Sequence, residues 1–360
     1  MSWLLAFLGF VVLIVLHEAG HFAAAKAVGM RVERFSLFFG RPLVAWRRGE
    51  TEYAIGPIPA GGYVKITGMN PREEFADDVA VRAYYRQPVW KRVVVIAAGP
   101  AVNVLVAFLI LWGVVLANGT YVPTHQVSSD RLGQPAARYL QPGDRIVSVD
   151  GVSGDLTRIS AAVRRHTCAE RPAVAGCAAT TPAHVVVVRA GRRLAFDIRP
   201  RYDSTPGIGY MRLGFTYDEH HRTYGPAAAA GESVTGMWNV TTQTLTVFTH
   251  LFQARDRKQV GSVVGAYHVT QQAVASNATQ ALEILALISL SLAIINLFPF
   301  LPLDGGHVFW AVAEKVRGKR IPFEVMERAG ILGFALILML FVIGLSNDIS
   351  TLSGKGFNVR

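Results

Sequence analysis

The sequence predicts a membrane α-helical protein with four transmembrane helices, a membrane-associated β-hairpin region after the first, and one extracytoplasmic β-rich domain between the second and third. Three observations carry this prediction. The 360 residues are 51% hydrophobic and only 17% charged, more apolar than an ordinary soluble chain of this size. Apolar runs begin at Trp3, Val93, Leu282 and Ala329 and have the length and composition of membrane spans. Between the second and third runs, Asn118 to about Pro200 is soluble in composition and rich in β-prone residues. The net charge of +11 does not point to nucleic acid. The basic residues are spread through loops at the ends of apolar runs, with no nucleic-acid motif among them.

The first span, 1–30, runs from Trp3 to about Val28 and stops at Gly29. It resembles a signal peptide in position only. A basic leader is missing, and cleavage near its end would destroy the motif it carries, so a retained span is expected. Residues 31–91 are expected to form a membrane-associated β-hairpin region and a loop. Short β-prone pieces, Arg34–Phe39, Leu43–Trp46 and Glu52–Ile55, alternate with turn signals and end in Gly56-Pro57-Ile58-Pro59-Ala60-Gly61-Gly62-Tyr63. That segment reads as a small β-subdomain or as an exposed strand edge able to pair with an extended peptide.

The second span, 92–118, follows a basic aromatic anchor, Trp90-Lys91-Arg92, and carries Asn103, which needs a partner at that depth. A helix-packing contact and a contact to substrate are both open to it. The β-rich domain is assigned to 119–205. Its Cys168 and Cys177, the only cysteines, read either as a short-loop disulfide or as two structural thiols. A linker, 206–280, is expected to contain an amphipathic helix over Val234–Phe252 lying at the membrane surface, followed by a solvated charged turn at 253–258.

The third span, 281–306, ends in the broken segment Pro299-Phe300-Leu301-Pro302-Leu303-Asp304-Gly305-Gly306. Non-helical backbone at such depth is tolerated only where protein buries it or water reaches it. A basic loop, 307–328, a short fourth span, 329–346, and a tail, 347–360, complete the chain. Lys and Arg are concentrated in 29–92 and 307–328, which places those segments in the cytoplasm and the β-rich domain and both termini outside.

The chemistry centres on His17-Glu18-Ala19-Gly20-His21. On a helix, an H-E-x-x-H pattern puts two imidazoles on one face with a glutamate beside them, the arrangement of a zinc hydrolase. Ionisable groups in an apolar run point to a functional site. Catalytic zinc takes three protein ligands and a water. Asp304 is the expected third, because spans one and three both run inward and end at similar depth; its alternative role is a helix-end cap. Glu18 is the expected general base. His307 reads as a partner of a ligand or an interfacial histidine rather than a fourth ligand.

Ordered along the chain, His17-Glu18-Ala19-Gly20-His21, Gly61-Gly62-Tyr63, Pro88-Val89-Trp90-Lys91-Arg92, Ala98-Gly99-Pro100-Ala101-Val102-Asn103, Gly143-Asp144-Arg145-Ile146 and Asn296-Leu297-Phe298-Pro299 leading to Leu303-Asp304-Gly305-Gly306 resemble the site-2 protease family. These are bacterial intramembrane zinc metalloproteases with a PDZ domain. The resemblance implies zinc held by His17, His21 and Asp304, catalysis by Glu18, a PDZ-like β-rich domain, and a substrate-holding or oxyanion role for Asn296, a role also open to Asn103. It implies a home in the bacterial inner membrane and a single-pass membrane protein substrate, commonly an anti-sigma factor already cut by a site-1 protease. The Gly261–Gly265 segment resembles a family stretch but lacks its proline. The different-class alternative is a catalytically silent scaffold that binds partners through its PDZ-like domain.

Overall fold

The computed structural model describes residues 2–69, 73, 76–170, 173–204, 209–249 and 263–353. It divides into two compact units, Asn118–Tyr224 and the remainder of the chain on either side of it.

The first unit opens with helix α1, Ser2–Ala27. A four-stranded sheet follows, with β1 Val32–Phe39, β2 Val44–Arg48, β3 Thr51–Ile55 and β4 Ile58–Ile66. Its order is β2-β3-β1-β4. The expected hairpin region is therefore only partly made of hairpins. β2 and β3 form one around Gly49-Glu50, but β1 lies parallel to β3, with Arg34 opposite Glu52 and Leu37 opposite Ile55. The stretch that reads as turns, Gly56–Lys65, is mostly strand, with Gly61 at φ +145. Its glycines serve close approach rather than turning. A Cβ on Gly62 would stand 2.9 Å from Ser36 O and 3.0 Å from Glu18 Cγ, so a bare backbone lets α1 lie this near β4 without displacing either.

The hairpin tip is tied to the end of α1. Glu50 accepts Lys26 Nζ at 2.6 Å and the Arg82 guanidinium at 2.7 and 2.8 Å, while Arg82 Nε donates to Gly29 O. Arg82, and after it Lys26, hold the Glu50 carboxyl at a pKa of about 2. A short helix α2, Asp77–Ala80, then leads to the long helix α3, Val89–Asn118. Met30, Val32, Ile66, Tyr84, Val95 and Ile96 form the buried cluster where sheet, loop and α3 meet.

The second unit contains β5 Thr120–Leu132, β6 Arg145–Val149, β7 Val152–Ser153, helix α4 Leu156–Arg164, β8 Ala183–Arg189, β9 Arg192–Ile198, β10 Arg201–Asp203, β11 Tyr210–Arg212 and β12 Phe215–Arg222. The main sheet runs β12-β5-β6-β8-β9, with β7 on β6 and a separate β10-β11 pair. Alternation along β8 buries Val185 and Val187 against Ile146, Val149 and Ile159. Asp144 accepts two bonds from Arg189, each 2.7 Å. Cys168 and Cys177 are joined as a disulfide, with Cα atoms 6.1 Å apart. The unit extends beyond 205, where the sequence boundary was drawn. β11 and β12 belong to it because β12 completes the sheet along β5, from Phe215 opposite Leu132 to Arg222 opposite Thr120.

The first unit resumes with α5 Pro226–Thr249, α6 Val263–Ser276, α7 Ala278–Asn296, α8 Asp304–Arg317 and α9 Phe323–Ser353. The expected amphipathic surface helix is α5, and its placement differs from the expectation. Met237 and Val240 pack with Ala107, Phe108 and Leu111 of α3 and with Ala286 and Leu290 of α7, inside the helix bundle. Its many threonines hide their polarity. Thr241, Thr244 and Thr246 donate to the carbonyls of Met237, Val240 and Thr242, each at 2.8 Å. Leu251, Phe252 and the charged turn at 253–258 lie outside the described residues, as do Gly261 and Ser262; Val263–Gly265 open α6.

Four helices are long and apolar enough to cross a membrane: Ser2–Ala27, Val89–Asn118, Ala278–Asn296 and Glu324–Ser350. Leu4, Leu5 and Leu8 on α1 and Ile331, Leu332 and Phe334 on α9 are exposed, a pattern suited to lipid rather than water. The third helix ends at Asn296 rather than running on to residue 306. The fourth starts at Glu324, five residues before Ala329, and continues into the stretch read as a tail.

Candidate metal centre

Helix α1 places His17 and His21 four residues apart on one face, each 7% exposed, with their Nε2 atoms 3.3 Å apart. α3 fixes both rings through residues spaced four apart, Val95, Gly99 and Asn103. His21 Nδ1–H donates to Val95 O at 2.9 Å. The Asn103 side-chain amide lies 3.1 Å from His17 Nδ1; turned so that its otherwise unpartnered Oδ1 accepts Nδ1–H, it leaves Nε2 of the neutral ring free for a metal. Between them a Cβ on Gly99 would run into the His21 ring. The same approach uses Gly20, whose added Cβ would stand 2.7 Å from Ala98 O. Asn103 is in turn tied to α7, since Ser289 Oγ–H donates to its backbone carbonyl at 2.9 Å.

Asp304 comes from another direction. α7 ends at Asn296 and α8 begins at Asp304, so the aspartate opens a helix after a break. Cβ atoms on Gly305 and Gly306 would collide with the backbone of 297–298 and 300–301, so the break can fold back on α8 only over glycine. The alternative role as a cap is not what is seen: Leu303 occupies the N-cap and α8 has no side-chain capping bond. Instead Asp304 Oδ2 points at the two imidazoles, 3.3 Å from each Nε2.

His17 Nε2, His21 Nε2 and Asp304 Oδ2 thus form an equilateral triangle with 3.3 Å edges. A tetrahedron with a face of that size has its centre about 2.0 Å from each corner, the ordinary zinc distance to imidazole nitrogen and carboxylate oxygen. Asp304 Oδ2 is buried and has no other hydrogen-bond donor among the described residues. With both Nδ1 atoms held from α3, the free nitrogens face the centre of the group. The donor set fits zinc with a fourth position left for water.

Glu18 stands beside the triangle rather than in it, with its Cγ against Gly62 of β4. His307 lies one turn past Asp304 and is not among the three converging residues. Asn296 ends α7 and is not among the three converging residues. Asn103, for which a helix-packing contact and a substrate or oxyanion contact were both open, is 0% exposed and lies against His17. Val95, Gly99, Ser289 and Gly62 were not singled out for the site, although the Gly99-Pro100 pair and Gly61-Gly62 marked two of the places where backbones come close.

A model of peptidase family M50 matches residues 5–340. The chain belongs to that family, the site-2 proteases. Among its relatives, zinc metalloprotease Rip1 of Mycobacterium tuberculosis is 32% identical over 343 residues, covering 86% of this chain and 85% of the relative. A Rhizobium meliloti protein named as a zinc metalloprotease is 29% identical over 366 residues, covering 95% and 94%. This site-2 protease is accordingly a zinc metalloprotease with zinc as its expected cofactor. Its apolar helices agree with a multi-pass membrane protein, and its family acts on membrane protein substrates.

Proposed function

We propose that this protein hydrolyses a peptide bond in or near the transmembrane segment of a single-pass membrane protein, with zinc held by His17, His21 and Asp304. The 3.3 Å triangle of donor atoms, set among membrane-spanning helices, is the observation that carries this reading. Zinc there would acidify a bound water and polarise the scissile carbonyl. Glu18 takes the proton from the attacking water on its carboxylate and passes it to the departing amine. Val95 O and the Asn103 amide keep the histidine rings turned inward. β4 ends the sheet order and lies against Glu18. An unwound substrate would add as a further strand along its open edge, which presents the peptide bond extended beside the site. A silent scaffold would have no use for three buried donors converging this closely.

The basic loops 29–92 and 307–328 support a cytoplasmic position for the ends of the helices that carry the site, in the bacterial inner membrane. The Cys168–Cys177 disulfide supports an extracytoplasmic Asn118–Tyr224 unit. That unit is read as a PDZ-like domain whose edge strand β12 suits binding of a peptide end, with size filtering as its other use. The substrate class is an anti-sigma factor already trimmed by a site-1 protease, its release serving stress signalling.

The test pairs metal content with cleavage. Glu18→Gln should keep one zinc per chain yet lose about 10²–10⁴-fold in the rate of cutting a membrane-embedded substrate. Normal cleavage by that variant would overturn the assignment of Glu18.

A further inference from the structure

The exposed side of α8 plays no part in the chemistry above. We propose that it is a binding site for anionic phospholipid, in which an apolar stripe meets the acyl chains and cations around the helix end meet the phosphates. The site does not depend on the proteolytic reading.

Depth comes first. α9 passes the break before α8 at Gly333, where an added Cβ would collide with Leu301 O. Gly333 lies ten residues, about 15 Å, inside the start of α9 at Phe323, next to the exposed Ile331, Leu332 and Phe334. α8 therefore leaves the break at membrane depth. Its 14 residues, about 21 Å long, lead back to the short connection 318–322 before α9. One face is fixed to the protein, through buried Ala311 and through Glu314, which accepts Arg92 Nη2 at 2.5 Å. That ion pair sets the last turn of α8 level with the first turn of α3, where Trp90 is exposed. An exposed tryptophan there is the kind of side chain that marks a headgroup boundary.

The opposite face sets the partner. Phe309, Val312 and Val316 follow at spacings of three and four, so they share one stripe, and all are exposed, Val316 at 84%. Lys315 and Arg317 flank that stripe on its two sides, with Lys319 just beyond the Gly318 stop. None of these three cations is in an ion pair among the described residues, and Glu314 beside them is taken by Arg92. Arg86 and Arg320 add two guanidiniums around Tyr85, at 6.0 and 5.5 Å from its ring. Cations in a last turn also suit the helix dipole, and a basic run alone reads as a solvated face. A solvated face would not set a bare valine between its charges. An apolar stripe edged by cations is the pattern of a helix held at a lipid surface, with aliphatic stems along the acyl region and charges at the phosphates. Each such cation near an anionic leaflet strengthens binding by about 5-fold.

The test uses the full-length chain in bilayers with spin-labelled lipids, whose immobilised fraction reports which headgroup the protein holds. Wild type should favour phosphatidylglycerol over phosphatidylcholine by about 5-fold or more, and the preference should fade in ~1 M salt. The triple variant Lys315→Gln/Arg317→Gln/Lys319→Gln should come close to parity, whereas Lys315→Arg/Lys319→Arg should keep the preference. Wild-type selectivity in the glutamine triple would overturn the site. The same charge removed from the Asn118–Tyr224 unit, as Arg192→Gln/Arg193→Gln/Arg199→Gln, should change nothing; equal losses from both triples would reduce the effect to net charge and overturn it too. Glycerol phosphate at matched ionic strength should displace no labelled lipid, and displacement would overturn lipid as the occupant. For the stripe, Val316→Cys carries a nitroxide, the native cysteines being joined. Dissolved oxygen should relax that label more than an aqueous nickel chelate does. The reverse would put the stripe in water, as for a face that docks a soluble protein, and would overturn the proposal.

Discussion

His17 and His21 stand on an unbroken helix, whereas Asp304 arrives after a break of seven residues between α7 and α8. The histidines are set by hydrogen bonds from a neighbouring helix, one to Val95 O and one to the Asn103 amide. The aspartate has no comparable partner. It is aimed by backbone packing, through Gly305 and Gly306 against the residues before it and Gly333 of α9 against Leu301. A ligand pair on a rigid helix needs help only with ring rotation and tautomer. A ligand at a break needs its whole backbone located, and glycine contacts do that without any polar group.

The contrast can be broken from either side, and the largest effect is expected at the break. Gly305→Ala should push Asp304 away from the histidines and lower zinc affinity by about 100-fold, the upper end of what supporting contacts are worth. Chelator competition measures it, and wild-type affinity would show that the break is looser than its packing suggests. Gly99→Ala, on the histidine side, should overpack the α1–α3 contact and cost about 1–3 kcal/mol of stability, read by thermal unfolding in detergent.

Asn103 sharpens the comparison further. Asn103→Leu removes the partner of His17 Nδ1 at nearly constant volume and should weaken zinc by about 10-fold or more, while Asn103→Asp, which keeps an acceptor, should restore it. A purely packing role would be served equally well by leucine.

The smallest effect belongs to the clamp that fixes the sheet to α1. The Glu50 carboxyl is depressed to about 2, so its contribution to folded stability is fully present above its ordinary pKa of about 4.5. It fades as pH falls from there toward 2. Hydrogen exchange at the β2–β3 tip should therefore accelerate over that acid range in the wild type. Glu50→Gln should exchange faster at neutral pH and show much less acid dependence.

Much of this was legible in the sequence because the chemistry lies in a contiguous motif and the spans are runs of apolar residues. The pairing of His17 and His21 with Asp304 was expected from an acidic residue in a broken, glycine-rich span end, from the shared inward direction of the two spans and from the family resemblance. That Ile58–Ile66 is a strand was not legible, because Gly61-Gly62 and Pro59 are turn signals that here thin a strand for α1 to approach. α5 was misplaced at the surface because threonine counts as polar in composition, while in the fold its hydroxyls bond their own helix. β11 and β12 were assigned to a linker because β11 is three residues long and β12 ends in the polar run Asp218–Arg222. The work of Asn103 needed a third dimension, since nothing in the order of residues places it over His17.

The most direct measurement is X-ray absorption at the zinc edge, on the full-length zinc-loaded chain beside Asp304→Ala. The account predicts two imidazoles and light oxygen donors at about 2.0 Å in the wild type, and loss of most of the metal in the variant. Sulfur in the coordination shell, or an Asp304→Ala spectrum and zinc content equal to the wild type, would contradict it.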